Sequence, residues 1–387
     1  MRCWNGGVIL RLALPAAAVV LLGLLAGCAA PSPAPTASRP PGGASPSDGG
    51  GVQPVGEPVV VAEGLTSPWS IALLPEGPGE ALVSERDTGV VQHLATDGTL
   101  TPLGEVPGVV HEGEGGLLGI ALLDDADERW LYAYLTTASD NRIVRMPLGD
   151  DLALGAPEVV LAGLAKARNH DGGRLAFGPD GMLYATVGDA AVPDRAQDQS
   201  SLNGKILRMM PDGEAPADNP FPGSLVYSLG HRNPQGLAWD DAGQLWAAEF
   251  GQNTWDEVNR IVPGGNYGWP VVEGVGGVEG YLDPAVQWPT SEASPSALTY
   301  VDGTFFLATL RGERLWALYP AADGRLDPVE WFAGEYGRLR EVVRAADGTL
   351  WFVTNNTDGR GSPRAGDDRI LSVRLGELQD PSTGRRG

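Results

Sequence analysis

GPDGMLYATVGD (residues 178–189) joins a turn to a strand: Pro179-Asp180-Gly181 supplies turn chemistry, and Met182 to Val187 is a short β-rich run. Five other stretches have the same form. They are LPEGPGEALVSER from Leu74, LDDADERWLYAYLTT from Leu123, DDAGQLWAAEFG from Asp240, VDGTFFLATLRG from Val301 and ADGTLWFVTNN from Ala346. Successive copies lie roughly 45 to 60 residues apart, the size of a propeller blade. Long helical periodicity is nearly absent, while Gly (55) and Pro (32) are abundant, as in chains of many short strands. The pattern predicts an all-β fold, a six-bladed β-propeller, over a β-sandwich or β-helix.

The 387 residues suffice for a large core. Residues 1–27 read as a lipoprotein signal peptide: Arg2 and Arg11, the apolar run Leu12 to Leu25, then Leu25-Ala26-Gly27-Cys28. Cleavage there leaves Cys28 as the lipidated first residue and the only cysteine, so no intrachain disulfide is possible. The run is short for a plain transmembrane anchor. Residues 28–56, rich in Pro, Ala, Ser and Gly, read as a disordered tether. The propeller is expected over 57–378 and a disordered tail over 379–387. Losing residues 1–27 leaves 25 basic against 49 acidic residues, a charge of −24. So acidic a chain is not built for nucleic acid, and fits an exported domain that meets the membrane only through its anchor.

Against that background, cations at strand ends are informative. His231-Arg232-Asn233-Pro234-Gln235 precedes one strand, Arg311 ends another, and Arg338 and Arg340 alternate in a third, so both guanidinium groups point to one face. Such a set suits a clamp for planar carboxylate or quinone oxygens; a structural turn with Arg232 in a salt bridge, and an exposed edge carrying Arg338 and Arg340, fit the same residues. His170 lies among small residues in Asn169-His170-Asp171-Gly172-Gly173-Arg174, and Asp189 closes the next strand. A histidine oriented by a carboxylate is a general base; a turn histidine and a turn aspartate fit the same residues. Gly251-Gln252 and Asp256-Glu257 suit Ca²⁺ through carbonyls and carboxylates, and equally suit a solvated acidic loop.

In order and spacing, LTSPWSIALLPEG, SERDTGVV, EGGLLGIAL, NHDGGRLAFGPDG, NGKILRMMPDG, GHRNPQGLAWD, GGNYGWP and RLREV resemble the soluble PQQ-dependent glucose/sorbosone dehydrogenases, in particular the aldose sugar dehydrogenases. The similarity runs from about Pro58 to Leu375. It implies a propeller holding pyrroloquinoline quinone (PQQ, a tricarboxylate o-quinone) beside Ca²⁺. It implies oxidation of aldose sugars at C1 to lactones, with electrons passed to an external quinone or cytochrome. By the resemblance His170 matches the general base, Asp189 its partner, and Arg232 and Asn233 the residues at the quinone oxygens. Arg338 and Arg340 match the carboxylate pair. Gly251 and Gln252 match the cofactor-linked Ca²⁺ site, and Glu257 and Tyr267 a second one. Three positions depart from the family's habit. Glu114 stands where Gln is common and would repel a PQQ carboxylate unless it turns away or pairs with an arginine. Arg311 stands where Lys is common, and Gln252 where Pro is. Rival readings on the same fold are a Ca²⁺-dependent sugar-lactone hydrolase and a non-catalytic cell-surface binding module.

Overall fold

The computed structural model describes residues 50–75, 77–124 and 128–378. Among the described residues, twenty-four strands form six antiparallel four-stranded sheets arranged as the blades of a propeller. Blade 1 holds β2 (Pro68–Leu73), β3 (Ala81–Glu85), β4 (Val90–Leu94) and β5 (Leu100–Glu105). Blade 2 is β6 (Leu117–Asp124) to β9 (Glu158–Leu164), and blade 3 is β10 (Leu175–Phe177) to β13 (Val226–Leu229). Blade 4 comprises β14 (Pro234–Trp239), β15 (Leu245–Glu249), β16 (Trp255–Arg260) and β17 (Val286–Pro289). Blade 5 runs from β18 (Pro295–Val301) through β19 (Thr304–Thr309) and β20 (Arg314–Pro320) to β21 (Leu326–Trp331). In blade 6, β22 (Leu339–Arg344), β23 (Leu350–Thr354) and β24 (Arg369–Glu377) are completed by β1 (Val52–Glu63), so the chain's start closes the ring.

The six turn-strand copies in the sequence are the second strands of the six blades. Neighbouring blades cover both faces of these strands, so Leu183–Val187 and Leu350–Thr354 are buried throughout and read as continuous apolar runs. Outer strands face solvent: β5 is half-exposed and β9 mostly so. Among the described residues, six buried apolar clusters each fill one junction between blades. This packing supplies most of what holds the ring.

The blade begins ahead of the expected boundary at Glu57. Val52 to Val55 pair with Glu377 to Arg374, and Thr304 Oγ1 exchanges hydrogen bonds with Val52 N (2.8 Å) and Val52 O (2.9 Å). Gly51, Pro54 and Gly56 gave these residues a tether's composition. However, β1 is the outer edge strand of its sheet, where proline is tolerated. The signal peptide, Cys28, the tether up to residue 49 and the tail from residue 379 lie outside the described residues.

Candidate active site

The innermost strands meet around Arg174, which immediately precedes β10. Its Nε donates to Gln235 O (2.8 Å), Nη1 to Ser70 Oγ (3.3 Å) and to the Glu341 carboxylate, and Nη2 to Ser296 O (3.3 Å). One buried guanidinium therefore ties blades 1, 4, 5 and 6 to blade 3. It also stacks on Trp69, 4.5 Å from the ring centroid.

Trp69 and Gln235 also line a cleft of about 220 Å³ with Glu114, Phe250, Arg311, Arg338, Arg340 and Arg360. Four arginines face one cavity in a chain of net charge −22. Arg340 is 3 % exposed; its Nη1 donates to Gln235 Oε1 (2.8 Å) and Ser296 Oγ (3.0 Å). Burial, then the nearby Arg86 and Arg338 charges, push it down to about 9. Arg338 Nη2 donates to Asp358 Oδ2 at 3.0 Å. Burial alone would raise the Asp358 carboxyl, but Arg338, the Arg360 N–H and Arg340 outweigh it and hold it low. Arg311 is exposed and has no ion pair among the described residues. The Nε atoms of Arg232, Arg338 and Arg340 are buried without a partner. Unmet donors on crowded cations mark a place built for an anion.

His170 is tied to this cleft through Glu114 and has a left-handed backbone (φ 63°), in a turn where a Cβ on Gly172 would come within 2.6 Å of Thr186 O. Its N–H donates to Glu114 Oε2 (3.0 Å), and its Nδ1 lies 2.8 Å from Asp189 Oδ1. Asp189 is wholly buried, and its Oδ2 accepts the Trp269 indole N–H at 2.9 Å. The carboxylate can only accept, so Nδ1 carries the hydrogen and the lone pair lies on Nε2. The imidazole keeps 12 % exposure, and Nε2 has no partner among the described residues. Lys205 pins the turn that follows Asp189 by donating to the carbonyls of Arg195, Ala196 and Asn203; burial pushes it down to about 8.

Arg232, stacked on Trp269 at 5.5 Å, turns its Nη1 to Gly251 O (2.5 Å) and Phe250 O (3.2 Å). Burial lowers its pKa. The Gly251 carbonyl thus already faces a cation, and that cation is Arg232. Asn233 gives its Oδ1 to the Gly172 N–H (3.0 Å), which leaves Nδ2 for a ligand.

Asp256 and Glu257 are not loop neighbours sharing a metal, as the sequence allowed. They lie in β16, where alternation sends them to opposite faces. Asp256 binds the Gly251 and Ser294 N–H groups. Glu257 faces a small recess with Glu249, Gly251, Tyr267 and Glu273. Burial, then the Glu249 charge, raise it to about 8. Two buried carboxylates repelling each other favour a cation between them. Tyr267 Oη donates to Arg260 O (2.6 Å) and accepts from Val262 N (3.0 Å), so only its carbonyl is left for a metal. Gln252 is exposed, and its N–H binds Glu273 Oε1 at 2.7 Å. The described residues contain no cluster of three or more His, Cys, Asp or Glu side chains able to hold a metal, although backbone carbonyls make up much of the expected sets.

Arg174, Trp69, Trp269, Asp358 and Arg360 escaped assignment in the sequence. The first three lay inside quoted motifs, so a charge or indole beside the candidate base was the available signal. Asp358-Gly-Arg-Gly361 gave no signal beyond that of a turn.

The fold and this cleft put the chain among the propeller oxidoreductases. It belongs to the Glucose / Sorbosone dehydrogenase family, whose profile matches residues 65–363. Aldose sugar dehydrogenase YliI of Escherichia coli (strain K12) is 30% identical over 345 residues, 79% of this chain and 92% of that protein. Quinoprotein glucose dehydrogenase B of Acinetobacter calcoaceticus is 35% identical over 260 residues, 57% of this chain and 54% of that one; the match spans about half that relative's length. Among solved structures, the PQQ-bound form of aldose sugar dehydrogenase from Streptomyces coelicolor is 53% identical with a TM-score of 0.81, covering 86% of this chain and 100% of that one.

Proposed function

We propose that this protein is a PQQ-dependent aldose dehydrogenase that oxidises the sugar at C1 to the lactone. The observation that carries the proposal is the set of unpartnered guanidinium nitrogens on Arg338 and Arg340 in the cleft and on Arg232 in the recess that meets it at Phe250. A planar tricarboxylate suits these groups, because guanidinium pairs with carboxylate through two parallel hydrogen bonds. A neutral lactone would leave them unmet. The donors therefore fit PQQ.

Arg338 and Arg340 would hold ligand carboxylates, with Arg311 at the rim, and Arg232 and Asn233 Nδ2 would meet the quinone oxygens. The Gly251 and Gln252 carbonyls would take Ca²⁺ once Arg232 turns from Gly251 to the ligand. Glu257 and the Tyr267 carbonyl would hold a second ion. When bound, PQQ supplies the two-electron acceptor for the hydrogen leaving C1, and Ca²⁺ supplies Lewis acidity. The chain's own residues handle the proton. His170 Nε2 takes it from the C1 hydroxyl, Asp189 keeps the ring in the tautomer that leaves Nε2 free, and Trp269 holds Asp189. An external quinone or cytochrome would be the electron acceptor. Export with a lipid on Cys28 would place this chemistry at the outer face of the cell membrane.

The test is reconstitution with PQQ and Ca²⁺, following absorbance on adding glucose and the reduction of a dye acceptor. Quinone bleaching and dye reduction, both lost with EDTA, are expected. His170→Ala should bind PQQ yet turn over about 10²-fold or more slowly. A wild-type protein that binds no PQQ sinks the proposal; near-normal turnover by His170→Ala sinks the base.

A further inference from the structure

Among the described residues, Glu114 is the one acidic side chain lining the arginine-rich cleft. Both of its oxygens are engaged. Oε2 accepts the His170 N–H at 3.0 Å, and Oε1 accepts from Arg360 Nη1 at 3.3 Å. The two residues come from opposite ends of the chain: Glu114 from the turn before β6, Arg360 from the segment between β23 and β24. Asp358 fixes that segment by accepting the Arg360 N–H (2.9 Å) with one oxygen and Arg338 Nη2 (3.0 Å) with the other. Arg360 is thus built into the same polar frame as a carboxylate-binding arginine.

The hydrogen bond to His170 holds Glu114 in the cleft, so turning away from an incoming anion would cost that bond. A glutamine would make that bond without bringing charge. A glutamate brings a full negative charge into an anion site, and a cation beside it restores the balance. From this geometry we infer that Arg360 is a ligand-affinity residue. It neutralises Glu114 and thereby lets the cleft accept a polycarboxylate. The inference rests on the cofactor reading above and adds a residue to it. It also makes Arg360 dispensable wherever position 114 is uncharged.

The experiment is a binding cycle on the full chain with Ca²⁺ present: wild type, Arg360→Ala, Glu114→Gln and the double variant. Each is titrated with PQQ and read by quenching of tryptophan fluorescence, since Trp69 lines the cleft. No turnover is involved. Arg360→Ala should weaken binding about tenfold or more. Glu114→Gln should bind at least as tightly as wild type, and the double variant should return to within about threefold of it. Arg360→Lys, which keeps the charge, should lose less than Arg360→Ala. Thermal melts check the fold; the Arg360 side chain is 46 % exposed, so its removal should be tolerated. Arg360→Ala binding like wild type, or a double variant as weak as Arg360→Ala, overturns the inference. Arg338→Ala separates the two levels. If wild type binds and Arg338→Ala is weakened while the Arg360 cycle is flat, only this inference fails. If wild type itself shows no binding, the cofactor reading fails.

Discussion

Trp269 donates its indole N–H to Asp189 Oδ2 at 2.9 Å, on the carboxylate oxygen that His170 does not use. Oδ1 also accepts the Ala191 N–H at 2.8 Å. A buried carboxylate tied at both oxygens has one orientation, and it passes that orientation to the imidazole. Asp189→Asn should therefore lower kcat by about 10²-fold or more with little change in PQQ affinity, because an amide can present its N–H to Nδ1 and favour the wrong tautomer. Trp269→Phe keeps the ring and removes the N–H, and should cost about tenfold or less. Steady-state kinetics beside a PQQ titration check both; an Asp189→Asn enzyme with wild-type kcat would remove Asp189 from the proton path.

The crowding of Arg86, Arg338 and Arg340 predicts a ligand-dependent melting temperature. PQQ at about 100 times its Kd should stabilise the wild type by about 2.7 kcal/mol, as any ligand exclusive to the folded state does. Arg340→Met should shrink that gain at equal PQQ concentration without lowering the melting temperature of the ligand-free protein by a comparable amount. Calorimetry with and without PQQ reads the difference.

Arg174 serves stability more than chemistry. Arg174→Met leaves the Glu341 carboxylate buried and uncompensated, a defect of about 3–5 kcal/mol. Combining it with Glu341→Gln should recover part of that loss, a sign that the uncompensated charge and not lost packing dominates. Melting temperatures of the two variants decide.

Asp171 should make stability depend on pH. Burial raises its carboxyl to about 6, and its Oδ2 is buried without a partner. The folded state holds this proton more tightly than the unfolded chain does. The favourable contribution is therefore complete below the ordinary carboxylate range near 4 and is lost as pH rises through about 6. Asp171→Asn carries no such dependence. Its melting temperature should improve relative to wild type between pH 4 and pH 8, by up to about 3 kcal/mol in stability. A difference that stays constant across that range would contradict the raised carboxyl.

The sequence disclosed what local pattern can carry. Second strands such as Leu245–Glu249, apolar on both faces, announced six blades, and Arg338-Leu-Arg340 announced two guanidinium groups on one face. Features set by distant partners stayed hidden. Arg174 sat in a quoted motif, yet the partners of its guanidinium lie 61 to 167 residues away. Glu114 was recognisable as an intruding acid, but the arginine that meets it is 246 positions on. Asp256 and Glu257 read as a ligand pair only while β16 was taken for a loop. Val52 to Val55 looked like tether because their pairing partner is the last strand of the domain.

That last pairing has a bearing on how the molecule can be rewired. Val52 and Glu377 are register partners, so the two ends of the folded domain emerge side by side from one blade edge. A short peptide splice there, with new termini opened in an exposed tip such as Asp323-Gly324, would circularly permute the chain and keep every inter-blade junction.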